Sequence, residues 1–246
     1  LVDFNCSNNN LTGSIPDFTN LPKLSQLTCT SNLLTGSIPD FKNLPNLVDF
    51  NCSNNNLTGS IPDFTNLPIL NRFWCSDNQL VGTIPDFTNI PKLTELFCDF
   101  NYLSGNVTNF KNLPNLSRYV CMGNQLSGTI PFFTNLPLLQ ELWCNNNQLV
   151  GIIPDFQNLK NLVSLNLSSN FLSGCIPQEE LCLIEQRSDI GSVILWSNPK
   201  LPNYGYVNNI CEFISQIGAP CNDGFNTTIE DHILSDCSCL GSIADT

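Results

Sequence analysis

Apolar and polar positions along the chain follow one pattern repeated every 23 residues without a slip: units open at Leu1, Leu24, Leu47, Leu70, Leu93, Leu116 and Leu139, and an eighth starts at Leu162. Each unit reads LxxLxCxxNxLxGxIPDFxNLPx. Its fourth and sixth residues, Phe4 and Cys6 in the first unit, fall on one side of an extended segment. The pattern therefore predicts a short strand with these two residues inward and the fifth outward. One unit cannot bury its apolar faces alone, whereas a stack of units can, so the expectation is a solenoid.

Within each unit the polar and special residues have structural uses. Asn9, Asn32, Asn55, Asn78, Asn101, Asn124, Asn147 and Asn170 form one column, where side-chain amides can satisfy the backbone groups of the turn leaving the strand. Gly13 and its equivalents through Gly174 allow close backbone approach, and Pro16 and most of its equivalents fix φ. Phe18, Phe41, Phe64, Phe87, Phe110, Phe133 and Phe156 form a second apolar column, predicted to stack as a spine. Beyond Leu162 the pattern loosens. Residues 178–187 read as a short helix, and Ile190, Val193, Leu195, Asn198 and Leu201 restore the spacing as a ninth, irregular repeat. The predicted organisation is a solenoid over 1–201 and a Cys-rich cap over 202–246.

This consensus resembles the leucine-rich repeat, in particular the plant-type LxGxIP class, over about the first 200 residues. The resemblance implies an α/β-type solenoid with a curved parallel sheet on its concave face and short irregular or 3-10 segments on its convex face. The chain departs from that class in a unit one residue shorter and in Cys at the sixth position. Neither departure disturbs the fold, but both weaken transfer of a specific plant function such as inhibition of a pectin-degrading enzyme.

Charge narrows the choice of partner. The formal net charge is -12, with nine Lys and Arg in all, which repels phosphate backbones and anionic lipid surfaces. No apolar run reaches the length of a membrane span, and no charged-then-apolar stretch opens the chain. The sequence is thus read as a mature form or fragment, without a span or a surviving signal peptide.

The 13 cysteines divide into two groups. Cys6, Cys29, Cys52, Cys75, Cys98, Cys121 and Cys144 lie in one column with aligned Cβ vectors, ill-suited to disulfides or to a closed metal site, and are read as buried thiols. Cys175, Cys182, Cys211, Cys221, Cys237 and Cys239 fall in the irregular C-terminal part and suit three disulfides, with Cys175–Cys182 the suggested local bridge. A zinc reading of Cys237-Ser-Cys239 is set aside. Eight Asn-x-Ser/Thr sequons, at Asn5, Asn10, Asn51, Asn56, Asn106, Asn115, Asn166 and Asn226, agree with a secreted glycoprotein.

The candidate site lies where the repeat breaks its own rule. The outward fifth column holds Asn5, Thr28, Asn51, Trp74, Phe97, Val120, Trp143 and Asn166: sequons at either side, large apolar residues in units four to seven. Phe100, Tyr102 and Met122 extend this patch near the strand ends. Exposed aromatic clusters often mark interfaces, and the patch is read as a binding site, with mutual stacking that only stabilises the sheet as the alternative. Beside it run Arg72, Glu95, Arg118 and Glu141, either a cross-strand ladder paired within itself or a polar rim for a partner.

No catalytic constellation accompanies these features. His232 is the lone histidine, with no nucleophile placed beside it by a recognisable motif, and no nucleotide or metalloprotease motif occurs, so neither an enzyme nor a cofactor is expected. Asp17, Asp40, Asp63, Asp86 and Asp155 fit turn or helix-start chemistry after Pro. Thr12, Ser14, Thr35, Ser37, Thr58 and Ser60 form an array of the kind that binds ice, but Val81, Val150 and Ile152 interrupt it. The leading expectation is a secreted module that binds a protein or a glycan through the concave face of repeats four to seven. The alternative is a structural glycoprotein assembling head to tail through a solenoid end, prompted by Leu1 opening directly on a repeat; size measurement by scattering separates the two.

Overall fold

A computed structural model describes residues 1–174, 178–187, 192–201, 228–233 and 239–243, with side chains over 1–174, 181–187 and 192–201. In chain order the elements are β1 (Asp3–Asn5), β2 (Gln26–Thr28), β3 (Asp49–Asn51), β4 (Arg72–Trp74), β5 (Val81–Gly82), β6 (Glu95–Phe97), β7 (Tyr102–Asn106), β8 (Arg118–Val120), β9 (Gln125–Gly128), β10 (Glu141–Trp143), β11 (Gln148–Gly151), β12 (Ser164–Asn166), β13 (Phe171–Leu172), α1 (Gln178–Gln186), β14 (Ser192–Ile194), β15 (Thr228–Ile233) and β16 (Cys239–Ile243).

The third to fifth residues of each unit form the predicted strands. They assemble into a nine-stranded sheet in the order β1-β2-β3-β4-β6-β8-β10-β12-β14. Its ladders are parallel and in register, so that Asn51 lies beside Trp74, Trp74 beside Phe97 and Trp143 beside Asn166. The irregular segment contributes β14 to this sheet, against β12. A second parallel sheet, β13-β11-β9-β7-β5, is built from positions 10 to 14 of the unit and was absent from the sequence reading. In the first three units the same positions are joined by pairs of bonds of that kind: Leu33 N–H to Leu11 O at 2.9 Å with Thr35 N–H to Gly13 O at 2.7 Å, and Asn56 N–H to Leu34 O at 2.8 Å with Thr58 N–H to Gly36 O at 2.8 Å.

The asparagine column is a continuous hydrogen-bond ladder. Asn101 Nδ2 donates to the carbonyls of Cys75 (3.0 Å), Cys98 (3.3 Å) and Asp99 (3.1 Å), while its Oδ1 accepts from Leu80 N–H at 2.9 Å. Each amide therefore ties two successive repeats together and satisfies buried backbone groups of the turn. The same set recurs at Asn32, Asn55, Asn78, Asn124, Asn147 and Asn170.

The phenylalanine column packs as a spine. Phe64 and Phe87 stack at 6.3 Å, and Phe73 meets Phe64 edge-on at 4.9 Å. Phe41, Phe64, Phe87 and Phe133 adopt φ of 45–50°, a region that side-chain-bearing residues rarely enter, and are fully or almost fully buried. Burial of the ring offsets the backbone strain. The glycine column is equally constrained: Gly105 has φ of +82°, and a β-carbon there would lie 2.9 Å from Thr83 Cγ2 of the preceding repeat. Helix α1 is secured by Arg187, whose guanidinium donates to the Leu159 and Leu162 carbonyls at 2.6 and 2.9 Å.

The seven repeat cysteines are free thiols, and all but Cys6 are buried. Burial pushes the Cys29 thiol up to about 12 and also holds Cys52, Cys75 and Cys98 well above the ordinary thiol range. Thiolate is the reactive form, so a thiol reagent at neutral pH should label Cys6 alone among these seven in the native protein and the other six only on unfolding. Mass spectrometry of the labelled peptides reads this directly; early labelling of Cys75 or Cys98 would contradict the packing. Of the C-terminal cysteines, Cys182 is disulfide-bonded. Cys239 falls in β16, and Cys175, Cys211, Cys221 and Cys237 lie outside the described residues.

Candidate functional site

The nine-stranded face presents the third, fifth and seventh positions of each unit, and its middle strands carry the predicted aromatic run. Trp74 and Phe97 stack face to face, with centroids 5.4 Å apart and planes 9° from parallel. Arg118 lies 4.8 Å from the Phe97 ring centroid and Arg72 lies 5.9 Å from that of Trp74, a cation–π contact at each end of the pair. Trp74 Nε1 donates to Glu95 Oε2 at 3.1 Å, and Trp143 Nε1 to Ser164 Oγ at 2.9 Å. The rings are half-buried and fixed in orientation rather than loose on the surface.

The charged column pairs within the sheet. Arg118 bridges Glu141 at 2.9 Å and Glu95 at 3.8 Å. Arg72 pairs instead with Asp49 of the preceding unit through two contacts of 2.6 and 2.7 Å. Asp49 was missed because the sequence reading began the column at Arg72, although the in-register third position already points to it. Of the predicted patch, Phe100 and Tyr102 are exposed and Met122 is half-buried, while Val120 is buried beneath its neighbours and offers no surface of its own. Phe100 reaches across Gly123, where a β-carbon would meet its ring at 2.6 Å. Two further residues went unnoticed in the sequence. Asp99 is buried and accepts from Ser76 Oγ at 2.6 Å, and Asn145 Oδ1 is buried without a hydrogen-bond partner among the described residues.

Burial raises the Asp99 carboxyl above the ordinary carboxylate range, partly opposed by the Ser76 hydrogen bond. The folded state then binds this proton more tightly than the unfolded chain does. Asp99 therefore subtracts stability as pH rises from the ordinary carboxylate range through its raised value, and the loss persists above it. Asp99→Asn keeps an acceptor for Ser76 and removes the charge, so its melting temperature should exceed that of the parent by a few degrees at pH 7, with the gap closing in acid. A variant less stable at pH 7 would contradict this.

The sequons differ in what their amides do. Asn5, Asn51 and Asn166, all at the fifth position, each accept the backbone N–H two residues on, at 2.9, 3.0 and 3.1 Å. Asn115 instead spends Nδ2 on the Pro91 carbonyl, and Asn10 and Asn106 are exposed. Asn226 lies outside the described residues, and His232 sits in β15, which pairs with β16. Asp86 and Asp155 accept backbone N–H groups in the turns, from Lys111 and Gln157. Among the described residues no helix is long and apolar enough to cross a membrane.

Three segments, 46–67, 138–159 and 161–182, match the leucine rich repeat family model. Among solved structures, the chain is 37% identical to the plant peptide hormone receptor RGFR1 in complex with RGF2, over 70% of this chain and 29% of that one, with a TM-score of 0.68. It is 31% identical to the ectodomain of the Arabidopsis receptor kinase HAESA in complex with an N-terminally extended IDA peptide hormone, over 89% of this chain and 35% of that one, with a TM-score of 0.71. It is also 28% identical to a plant ice-binding protein, over 82% of this chain and 62% of that one, with a TM-score of 0.61. The chain thus spans about a third of these receptor chains, and no curated protein matches it. With its 23-residue turns and parallel in-register strands, the chain belongs to the leucine-rich-repeat family.

Proposed function

We propose that the chain is an extracellular, non-catalytic recognition module that binds a peptide segment of a partner protein across strands β4 to β10 of the nine-stranded sheet. The observation that carries this is the braced stack Arg72–Trp74–Phe97–Arg118. Rings held in place by stacking, cation–π contact and an indole hydrogen bond lose little conformational entropy when a ligand docks, and such rigid aromatic anchors supply most of the energy of an interface. Carboxylates of the same face neutralise both guanidinium groups, so the rim offers shape and apolar area more than net charge. The stack also favours a peptide over a carbohydrate. Sugar rings pack on open aromatic faces, whereas Trp74 and Phe97 give theirs to each other and to the flanking guanidinium groups. The likeness to ectodomains solved with peptide hormones supports the same choice. The test is selection from a displayed random-peptide library: the protein should enrich a consensus with apolar residues, and the double variant Trp74→Ala/Phe97→Ala should not. Equal enrichment by both would overturn the assignment.

The second sheet favours a further reading. Its outward residues at positions 12 and 14, among them Ser104, Ser127, Thr83 and Thr129, form a regular array, and a plant ice-binding protein is among the similar structures. Val81, Val150 and Ile152 lie in the same array and are exposed. Thermal hysteresis and ice-crystal shaping by the purified chain would support this reading, and ordinary ice growth would remove it.

A further inference from the structure

Trp143 repeats the pose of Trp74 but lacks its stacking partner. In both, Nε1 donates to the third-position side chain of the following repeat, Glu95 Oε2 at 3.1 Å for Trp74 and Ser164 Oγ at 2.9 Å for Trp143. In that pose Trp74 covers one face with the ring of Phe97, its register partner on the next strand. The register partner of Trp143 is Asn166, which has no ring. Asn166 heads the sequon Asn166-Leu167-Ser168. Its Oδ1 accepts both Ser168 N–H at 3.1 Å and Ser168 Oγ–H at 2.7 Å, which fixes the amide plane. Its Nδ2 makes no hydrogen bond to the described residues.

We infer that Asn166 carries an N-linked glycan whose innermost N-acetylglucosamine packs on the Trp143 indole, in the place that the Phe97 ring takes beside Trp74. The side chain of a half-buried residue on one strand reaches a neighbour about 4.8 Å away on the next, so a sugar bonded to Nδ2 is within contact of the indole. The C–H groups on one face of the sugar ring meet the electron-rich face of the indole. The attachment forms the Nδ2–C1 bond as the C1–O bond to the pyrophosphate of a lipid-linked oligosaccharide donor breaks, and one amide proton is released. The other fifth-column sequon beside a tryptophan has no such vacancy. Asn51 lies on the side of Trp74 toward which Arg72 extends to reach Asp49. A glycan on Asn166 closes the aromatic run at its C-terminal end and confines an incoming ligand to strands β4 to β10.

The inference rests on the extracellular placement proposed above. The full chain, expressed behind a secretion signal in eukaryotic cells and trimmed to single N-acetylglucosamine residues, should carry that sugar on Asn166 by glycopeptide mass spectrometry. The ring protons of this sugar should show the upfield shift of a group lying over an indole. Asn166→Gln should lower the melting temperature by about 2–4 °C in the parent and leave a Trp143→Phe variant much less affected. Secretion with Asn166 unmodified, sugar protons at their free-solution shifts, or equal losses in both backgrounds would each overturn the inference alone. Retention of a folded chain inside the cell would overturn the extracellular placement and this inference with it.

Discussion

Replacing Asn101 with alanine should lower the unfolding free energy by about 3–5 kcal/mol, near the upper end for a single substitution. The residue is buried and its amide makes four hydrogen bonds, three to carbonyls and one from Leu80 N–H. Alanine removes all four, strands a buried backbone donor at about 1–3 kcal/mol, and takes a donor from the Cys75 and Cys98 carbonyls, whereas the Asp99 carbonyl keeps Asp77 N–H. The size of the effect follows from position in the stack. Asn9 closes the ladder at the first turn with only two carbonyl contacts, to Cys6 and Ser7 at 3.0 Å, and is exposed. Asn9→Ala should therefore lose under half as much. Urea unfolding of the two variants side by side reads the contrast, and equal losses would mean that the ladder is not what joins the repeats.

The Phe73→Ala variant should lose a comparable amount, about 3–5 kcal/mol, through the cavity left by a fully buried ring. Phe73 sits between three other rings, stacked on Phe50 at 5.6 Å and edge-on to Phe64 and Phe87 at 4.9 and 6.4 Å. A turn of a solenoid contacts only its neighbours, so the loss should appear as local opening around the fourth repeat before it appears globally. Hydrogen exchange should accelerate first in β3, β4 and β6 and leave β10 and β12 protected. Uniform acceleration along the chain would show that the turns unfold as one unit. Phe171, which is 48% exposed, supplies the control: its alanine variant should change stability little.

The strands of the main sheet and the asparagine ladder were legible in the sequence because both depend on side chains that repeat at fixed positions. The second sheet was not. Its segments run into glycine at position 13 and, in most units, proline at position 16, residues that argue against a strand in isolation, and their pairing arises only once the stacked turns bring backbone groups into register. The same limit shaped the site. That the fifth column faces outward was readable from period two. That Val120 would disappear under its neighbours, and that Arg72 would turn to Asp49 rather than Glu95, depended on which rotamers the aromatic rings had already claimed. Pairing was visible in outline, since every third-position residue has an in-register neighbour on either side, but the choice between neighbours is made by packing.

The recognition face can be tested against the opposite one by titration calorimetry with a peptide selected by the parent protein. Binding should weaken by at least about 30-fold in Trp74→Ala/Phe97→Ala, the loss of one strong anchor or more, and remain unchanged in Val81→Ser/Val150→Ser on the second sheet. Undiminished binding by the first variant together with loss in the second would move recognition to the second sheet and remove the braced aromatic stack from the function of this protein.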